Sequence, residues 1–216
     1  MGLHLIYLSC LLVSSIIAFV YRKDLKSRQL SLFPYYLLLV FSQEMFVYLY
    51  LLRHPTYSTG LIYNLYNPVN TSFFAAFYYR IPFNFSVRKV ILSLLVIFLT
   101  ATVFTFCFIQ PIYIYNSYLS LAGGFLITVC GILFLFNYFK LDNPGEEKKW
   151  LPVLWITIGL VAFYPVVNIS FALYKYLLAY QATVFGLRLY RLIPQLMSIF
   201  MYVCFIRAFY LCSKKR

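Results

Sequence analysis

The chain has 216 residues, of which 63% belong to the hydrophobic class and 11% are charged, where a soluble domain carries roughly 25% charged residues. Water is excluded as its main solvent, and seven spans of about 20 residues each leave no room for a separate soluble catalytic module. A formal charge of +13 raises nucleic acid as a partner, but the Lys and Arg residues are dispersed over links that face lipid headgroups, so the predicted partner is a bilayer and not nucleic acid.

The first apolar stretch, 3–21, has the length of a signal peptide but lacks a basic leading region. Arg22, Lys23, Lys26 and Arg28 all follow it, which predicts a retained first helix with its N-terminus outside. The second stretch, 31–52, carries Glu44, the one acid within a span, with Gln43 before it and Tyr48 one turn on. The third, 61–79, is interrupted by Asn64, Asn67, Pro68 and Asn70, and a re-entrant segment in a six-helix bundle is the alternative to a seventh span. Its Asn64, Asn67 and Thr71 share one helical face.

The fourth stretch, 89–110, is plainly apolar. The fifth, 113–139, spaces Ser117, Ser120, Gly124, Thr128 and Gly131 by three and four. Small residues at that spacing let helix backbones approach, so Ser120, Gly124 and Thr128 predict a packing face within the bundle or in a homodimer. Asp142-Asn143-Pro144-Gly145 is a turn sequence, and the link 141–149 is predicted to be the main cytoplasmic contact loop. The sixth stretch, 150–174, holds Tyr164 and Asn168 four apart, with Pro165 between them. In the seventh, 184–212, Arg188, Arg191, Gln195, Ser198 and Tyr202 follow at three and four, beside Pro194. Tyr113, Tyr115 and Tyr118 at one end and Trp150 and Trp155 at the other fit interfacial anchoring belts.

Link charges predict the orientation. Arg22, Lys23, Lys26, Arg28, Arg80, Arg88, Lys89, Lys140, Lys148, Lys149, Arg207, Lys214, Lys215 and Arg216 fall on one side, and Arg53, Lys175, Arg188 and Arg191 on the other. The positive-inside rule then puts the N-terminus outside and the C-terminus in the cytoplasm. The predicted fold class is all-α: a single polytopic membrane bundle over 1–216 with seven transmembrane helices, in the inner (cytoplasmic) membrane of a bacterium.

Polar groups inside a membrane are costly unless paired or facing a cavity. Glu44, Asn64, Asn67, Tyr164, Asn168, Arg188, Arg191 and Gln195 lie at one depth on four spans. If those faces converge they form an outward-facing pocket with Glu44 paired to Arg191 or Arg188. One reading is a structural ion pair and amide network fixing helix register, with Arg188 snorkelling to the headgroups. The other is a site for a small anionic or lipidic ligand, since two arginines against one glutamate favour a carboxylate or phosphate. Both stay open at this point. Pro165 and Pro194 predict kinks beside the pocket, with freed carbonyls as extra acceptors.

Enzyme chemistry has little support. His4 and His54 are the two histidines and stand far apart, and no GxSxG, HExxH, P-loop or GxGxxG pattern occurs, so no catalytic residue, metal or cofactor is assigned. No lysine lies deep in the seventh span, which argues against a retinal Schiff base. Cys10, Cys107, Cys130, Cys204 and Cys212 lack CxxC spacing and read as small apolar residues, with Cys212 a candidate acylation site. Pro194-Gln195 matches the dipeptide of PQ-loop transporters, in one copy and without a repeat.

Leu61-Ile62-Tyr63-Asn64-Leu65-Tyr66-Asn67-Pro68-Val69, Asn143-Pro144-Gly145-Glu146-Glu147 and Pro152-Val153-Leu154-Trp155-Ile156-Thr157-Ile158-Gly159-Leu160 carry a resemblance to small, uncharacterised seven-transmembrane-helix proteins of Bacteroidota. The resemblance implies a sensor-like or partner protein and supplies no ligand, reaction or functional residue. The functional expectation is therefore a non-enzymatic seven-helix protein with an outward-facing polar pocket that senses a ligand or binds a membrane or cytoplasmic protein. A small-molecule or ion-coupled transporter is second, and a membrane-embedded lipid enzyme third.

Overall fold

A computed structural model describes residues 2–26, 29–54, 58–81, 85–180, 183–184 and 187–213. Its elements in order are α1 (Gly2–Val20), α2 (Arg22–Lys26), α3 (Phe33–Arg53), α4 (Gly60–Arg80), α5 (Phe85–Phe104), a π-helical turn (Thr105–Ile109), α6 (Ser117–Tyr138), α7 (Pro144–Ala172), α8 (Tyr174–Ala179), β1 (Thr183–Val184), β2 (Leu187–Arg188) and α9 (Leu189–Ser213). Helices dominate because hydrocarbon offers no partner for a backbone N–H or C=O, so each apolar run satisfies its own. The helices α1, α3, α5 with its π turn, α6, α7 and α9 are long and apolar enough to cross a membrane. The chain is thus built as a multi-pass membrane bundle. Its outer surface fits that solvent, with Val96, Ile97, Val103, Phe104, Phe108 and Ile109 exposed along the α5 segment.

The third predicted span is α4, a continuous helix of 21 residues, about 32 Å at the usual rise. Its asparagines and Pro68 leave it less apolar than the six helices above. It stands among them all the same: Tyr36 reaches Asn70 and Phe33 reaches Phe77, antiparallel to α3, and Tyr78 reaches Thr157 on α7.

Six helices close a ring. The order α9, α1, α3, α4, α6, α7 returns to α9, and α5 packs outside it on α4 and α6. His4 lies beside Gln195 and Tyr48, and Tyr174 beside Tyr190, so the start of α1, the end of α3, the start of α8 just after α7, and the start of α9 share one end of the bundle, here called the N-terminal face. At the opposite face Phe33 is an aromatic hub, with ring centroids 5.2 Å from Phe73, 5.1 Å from Phe77, 5.8 Å from Phe205 and 6.0 Å from Phe209.

Three boundaries differ from the sequence reading. The helix α7 starts at Pro144, so the predicted contact loop 141–149 shrinks and residues 144–149 become helix. Asn143 caps it by accepting from the Gly145 N–H at 2.9 Å, Pro144 occupies the first turn, and Glu146 and Glu147 face the positive helix end. The predicted fifth span begins late, because residues 113–116 form a link and Asn116 caps α6 through Leu119 N–H at 3.0 Å. The predicted seventh begins at Leu189, after a two-residue antiparallel ladder that pairs Thr183 with Arg188. The small-residue stripe of α6 turns inward to its neighbours. A Cβ on Gly123 would meet Thr71, one on Gly124 the Asn168 amide, and one on Gly131 Val161.

Candidate functional site

A cavity of about 660 Å³ opens in the N-terminal half of the ring. All six ring helices supply its wall: His4 and Tyr7 from α1, Tyr36, Val40 and Glu44 from α3, Gly60, Tyr63, Tyr66, Asn67 and Asn70 from α4, and Ser120 from α6. Phe163, Tyr164, Val167, Asn168 and Phe171 come from α7, and Tyr190, Arg191, Pro194, Gln195, Ser198, Met201, Tyr202 and Phe205 from α9. Nothing comes from α5 or its π turn. Pockets that hold small molecules have volumes of about 300–1,000 Å³ and mix apolar walls with a few convergent polar groups.

The floor is a hydrogen-bonded cluster. Asn70, buried in α4, accepts from the Tyr36 hydroxyl through Oδ1 and donates from Nδ2 to the Tyr164 hydroxyl at 2.8 Å. Tyr66 joins at longer range, 3.3 Å from the Tyr36 hydroxyl and 3.4 Å from Asn70 Oδ1. The Tyr36 ring stacks on Phe73 at 3.9 Å and so cannot swing away.

The middle layer centres on Glu44. Its carboxylate interacts with the hydroxyls of Tyr7 and Tyr63, and Tyr66 and Tyr202 stand within range of its field. His4 contacts Gln195, with 3.4 Å between His4 Nδ1 and Gln195 Nε2, and packs its ring 5.1 Å from that of Tyr48. The rim holds Ser58, Thr59, Tyr115, Tyr174 and Tyr190. Arg191 is exposed there, with its guanidinium 5.6 Å from the Tyr190 ring.

Of the residues singled out by sequence, Glu44, Asn67, Tyr164, Asn168, Arg191 and Gln195 border this one cavity, as do Ser120, Ser198 and Tyr202. Asn64 and Arg188 do not. Asn64 is buried behind the wall and clamps the 110–116 link to α4: its Nδ2 donates to the carbonyls of Ile112 and Ile114, each at 2.7 Å, and its Oδ1 accepts from Asn116 N–H at 3.0 Å. Arg188 lies on β2, outside the helix that the stripe implied, exposed and donating to the Tyr190 hydroxyl at 3.2 Å. Thr128 bonds to its own helix at Gly124 O, 2.8 Å away.

The predicted pairing of Glu44 with an arginine is not formed. Arg188 and Arg191 belong to the exposed end of the bundle, where long cationic side chains keep their heads in water, whereas Glu44 sits inside among tyrosines. Cys212 is buried near the end of α9, 6% exposed, which shields the thiol considered for acylation. Among the described residues, no group of three His, Cys, Asp or Glu side chains is arranged to hold a metal.

The sequence reading assigned no site role to Tyr7, Tyr36, Tyr63 or Tyr66, and it named Asn70 only as an interruption of the third span. A signal was available, since Tyr63, Tyr66, Asn67 and Asn70 recur at i, i+3, i+4 and i+7, the spacing of one helical face; the face through Asn64 and Thr71 looks instead at the 110–116 link and at Gly123 of α6. The chain matches no protein-family model, no curated protein and no solved structure. Function must therefore be argued from this geometry.

Proposed function

We propose that the chain is a seven-helix membrane protein, with α4 as its seventh span, that binds a small molecule in the cavity and acts as a sensor-like or partner-binding protein. The observation that carries this reading is the convergence of polar side chains from six helices on one space of ligand size. Structural glue alone would draw such groups into direct contact, as Asn70 and Asn64 are drawn. Glu44, which reaches Tyr7 and Tyr63, Gln195, which reaches His4, and Asn67 also front a void. Below the floor the Phe33 hub fills the bundle, so ligand enters from the N-terminal face. The distribution of basic residues supports that face as the outer one and the C-terminus as cytoplasmic.

The proline-bearing segments of α7 and α9 give the means of response. Pro165 and Pro194 each remove a backbone donor beside the cavity, and α7 and α9 pack on each other along their length. A ligand that bears on Asn168 and Gln195 bears on both helices, and their far ends reach the basic face. A transporter is the second reading, since a cavity ending in the middle of a bundle is also an outward-open transport site.

The test uses purified protein in nanodiscs and a small-molecule library read by thermal shift, with Ser198→Trp filling the cavity. Compounds that stabilise the wild type and lose that effect in the filled variant support the reading. Shifts that persist in the filled variant place binding elsewhere. Flux of such a compound into proteoliposomes separates transporter from sensor. For orientation, Tyr113→Cys is expected to react with an impermeant maleimide on intact cells in a cysteine-free background, and Lys140→Cys only after lysis.

A further inference from the structure

The two arginines that suggested an anionic ligand are not inside the cavity wall as the sequence implied. Arg188 is off it, and Arg191 stands at the exposed rim against Tyr190. The enclosed part is left with one formal acid, Glu44, and no Lys or Arg among the described residues lies within 4 Å of its carboxylate. Its neighbours are tyrosines on three other helices: Tyr7 on α1 and Tyr63 on α4, whose hydroxyls donate to it, with Tyr66 on α4 and Tyr202 on α9 within range of its charge. Ring faces carry negative potential and attract cations, most strongly where water is excluded. A carboxylate in a low-dielectric wall needs a positive charge or a proton.

Resting on the proposed ligand-binding cavity, we infer that its ligand is an organic cation whose ammonium group sits between Glu44 and the surrounding tyrosine rings. Three features fit this class. The volume of about 660 Å³ exceeds what a bare inorganic ion fills and accommodates an amine with an apolar body. Between the polar groups of α7 and α9, the wall carries apolar surface for the body of such a ligand, at Phe163, Val167, Met201 and Phe205. The floor amide, Asn70, is already occupied by Tyr36 and Tyr164, which leaves Glu44 to orient the ligand together with Asn67, Asn168 and Gln195, and of these Glu44 alone is an acid. The ammonium can come from a free amine or from an aminolipid headgroup reaching in from the bilayer.

The experiment compares three probes of one shape on protein in phosphatidylglycerol nanodiscs: phenethylamine, uncharged 2-phenylethanol and anionic phenylacetate, read by isothermal titration calorimetry. Phenethylamine is expected to bind at least tenfold more tightly than 2-phenylethanol, a difference of about 1.4 kcal/mol. Glu44→Gln is expected to abolish that preference, and Arg188→Gln, off the cavity wall, to retain it. Tyr63→Leu removes one ring, keeps the acid, and is expected to weaken the amine selectively, so the conclusion does not depend on one variant. Replacing part of the lipid with phosphatidylethanolamine weakens phenethylamine binding if the natural ammonium is a headgroup and leaves it unchanged if it is a free amine; either supports the cation. Equal binding of amine and alcohol, tighter binding of phenylacetate, or an amine preference that survives Glu44→Gln overturns the inference while sparing the cavity. Failure of all three probes to bind overturns the cavity reading as well.

Discussion

Replacing Asn70 by leucine removes the centre of the cavity floor at nearly constant volume. The hydrogen bonds to Tyr36 and Tyr164 go, together with the long contact to Tyr66. At about 0.6 kcal/mol for a side-chain bond within a membrane bundle, the two short bonds amount to about 1.2 kcal/mol. Tyr36 retains the Tyr66 hydroxyl at 3.3 Å, but Tyr164 has no other hydrogen-bond partner among the described residues and its half-buried hydroxyl adds about 1 kcal/mol. The expected cost is about 2 kcal/mol, or about thirtyfold in the folded-to-unfolded ratio. Tyr164→Phe alone costs about 1.5 kcal/mol on the same reasoning, one bond plus a stranded Asn70 donor. The double variant has no stranded Tyr164 hydroxyl, so it costs only about 1 kcal/mol, less than Asn70→Leu by itself. Reversible unfolding in mixed micelles, followed by circular dichroism, measures all three. If Tyr164→Phe deepens the loss in Asn70→Leu instead of relieving it, the floor is not wired as described.

Asn64→Ala is expected to cost about 2 kcal/mol, because three bonds to backbone groups are lost, and to speed hydrogen exchange at Asn116 N–H without altering ligand binding. Gly124→Ala and Gly131→Ala put a Cβ 2.7 Å from Asn168 Oδ1 and 2.5 Å from Val161 Cγ2; each is expected to lower stability by about 1–3 kcal/mol. Only Gly124→Ala should also change binding, since Asn168 borders the cavity. Asn143→Ala removes the cap of α7 and is expected to cost about 1 kcal/mol, seen as a lower Tm with binding intact.

The apolar helices were legible in the sequence because a bilayer imposes length and composition on whatever crosses it. The rest followed a subtler code. Arg188 fits the three-and-four stripe of Gln195 and Ser198 as well as Arg191 does, yet the chain enters α9 only at Leu189, and periodicity has no term for where a helix begins. The start of α7 was legible in Asn143, Pro144 and Glu146, which form a helix-opening signature as much as a turn. Asn64 and Asn70 are both buried asparagines on α4, and sequence gives each the same weight. One finds loop carbonyls and the other tyrosine hydroxyls, and only the neighbours decide between a clamp and a cavity floor.

The cavity exists because the ring closes unequally. On the α6, α7 and α9 side, glycines bring backbones together: a Cβ on Gly159 would lie 3.3 Å from Met201 O and 3.1 Å from Cys204 Cβ. On the other side α3 and α4 meet through whole aromatic rings, Tyr36 on Phe73 and Phe33 against Phe73 and Phe77. Those rings fill the C-terminal half and act there as spacers. Toward the N-terminal face the residues that continue the same faces are Glu44, Tyr63 and Asn67: Glu44 accepts from the Tyr63 hydroxyl, and all three border the gap, the two placements open to a polar group inside a membrane. The spacers therefore hold open a gap that their own helices do not fill. Tyrosine suits its wall, since the ring packs like phenylalanine while the hydroxyl satisfies whatever polar group enters.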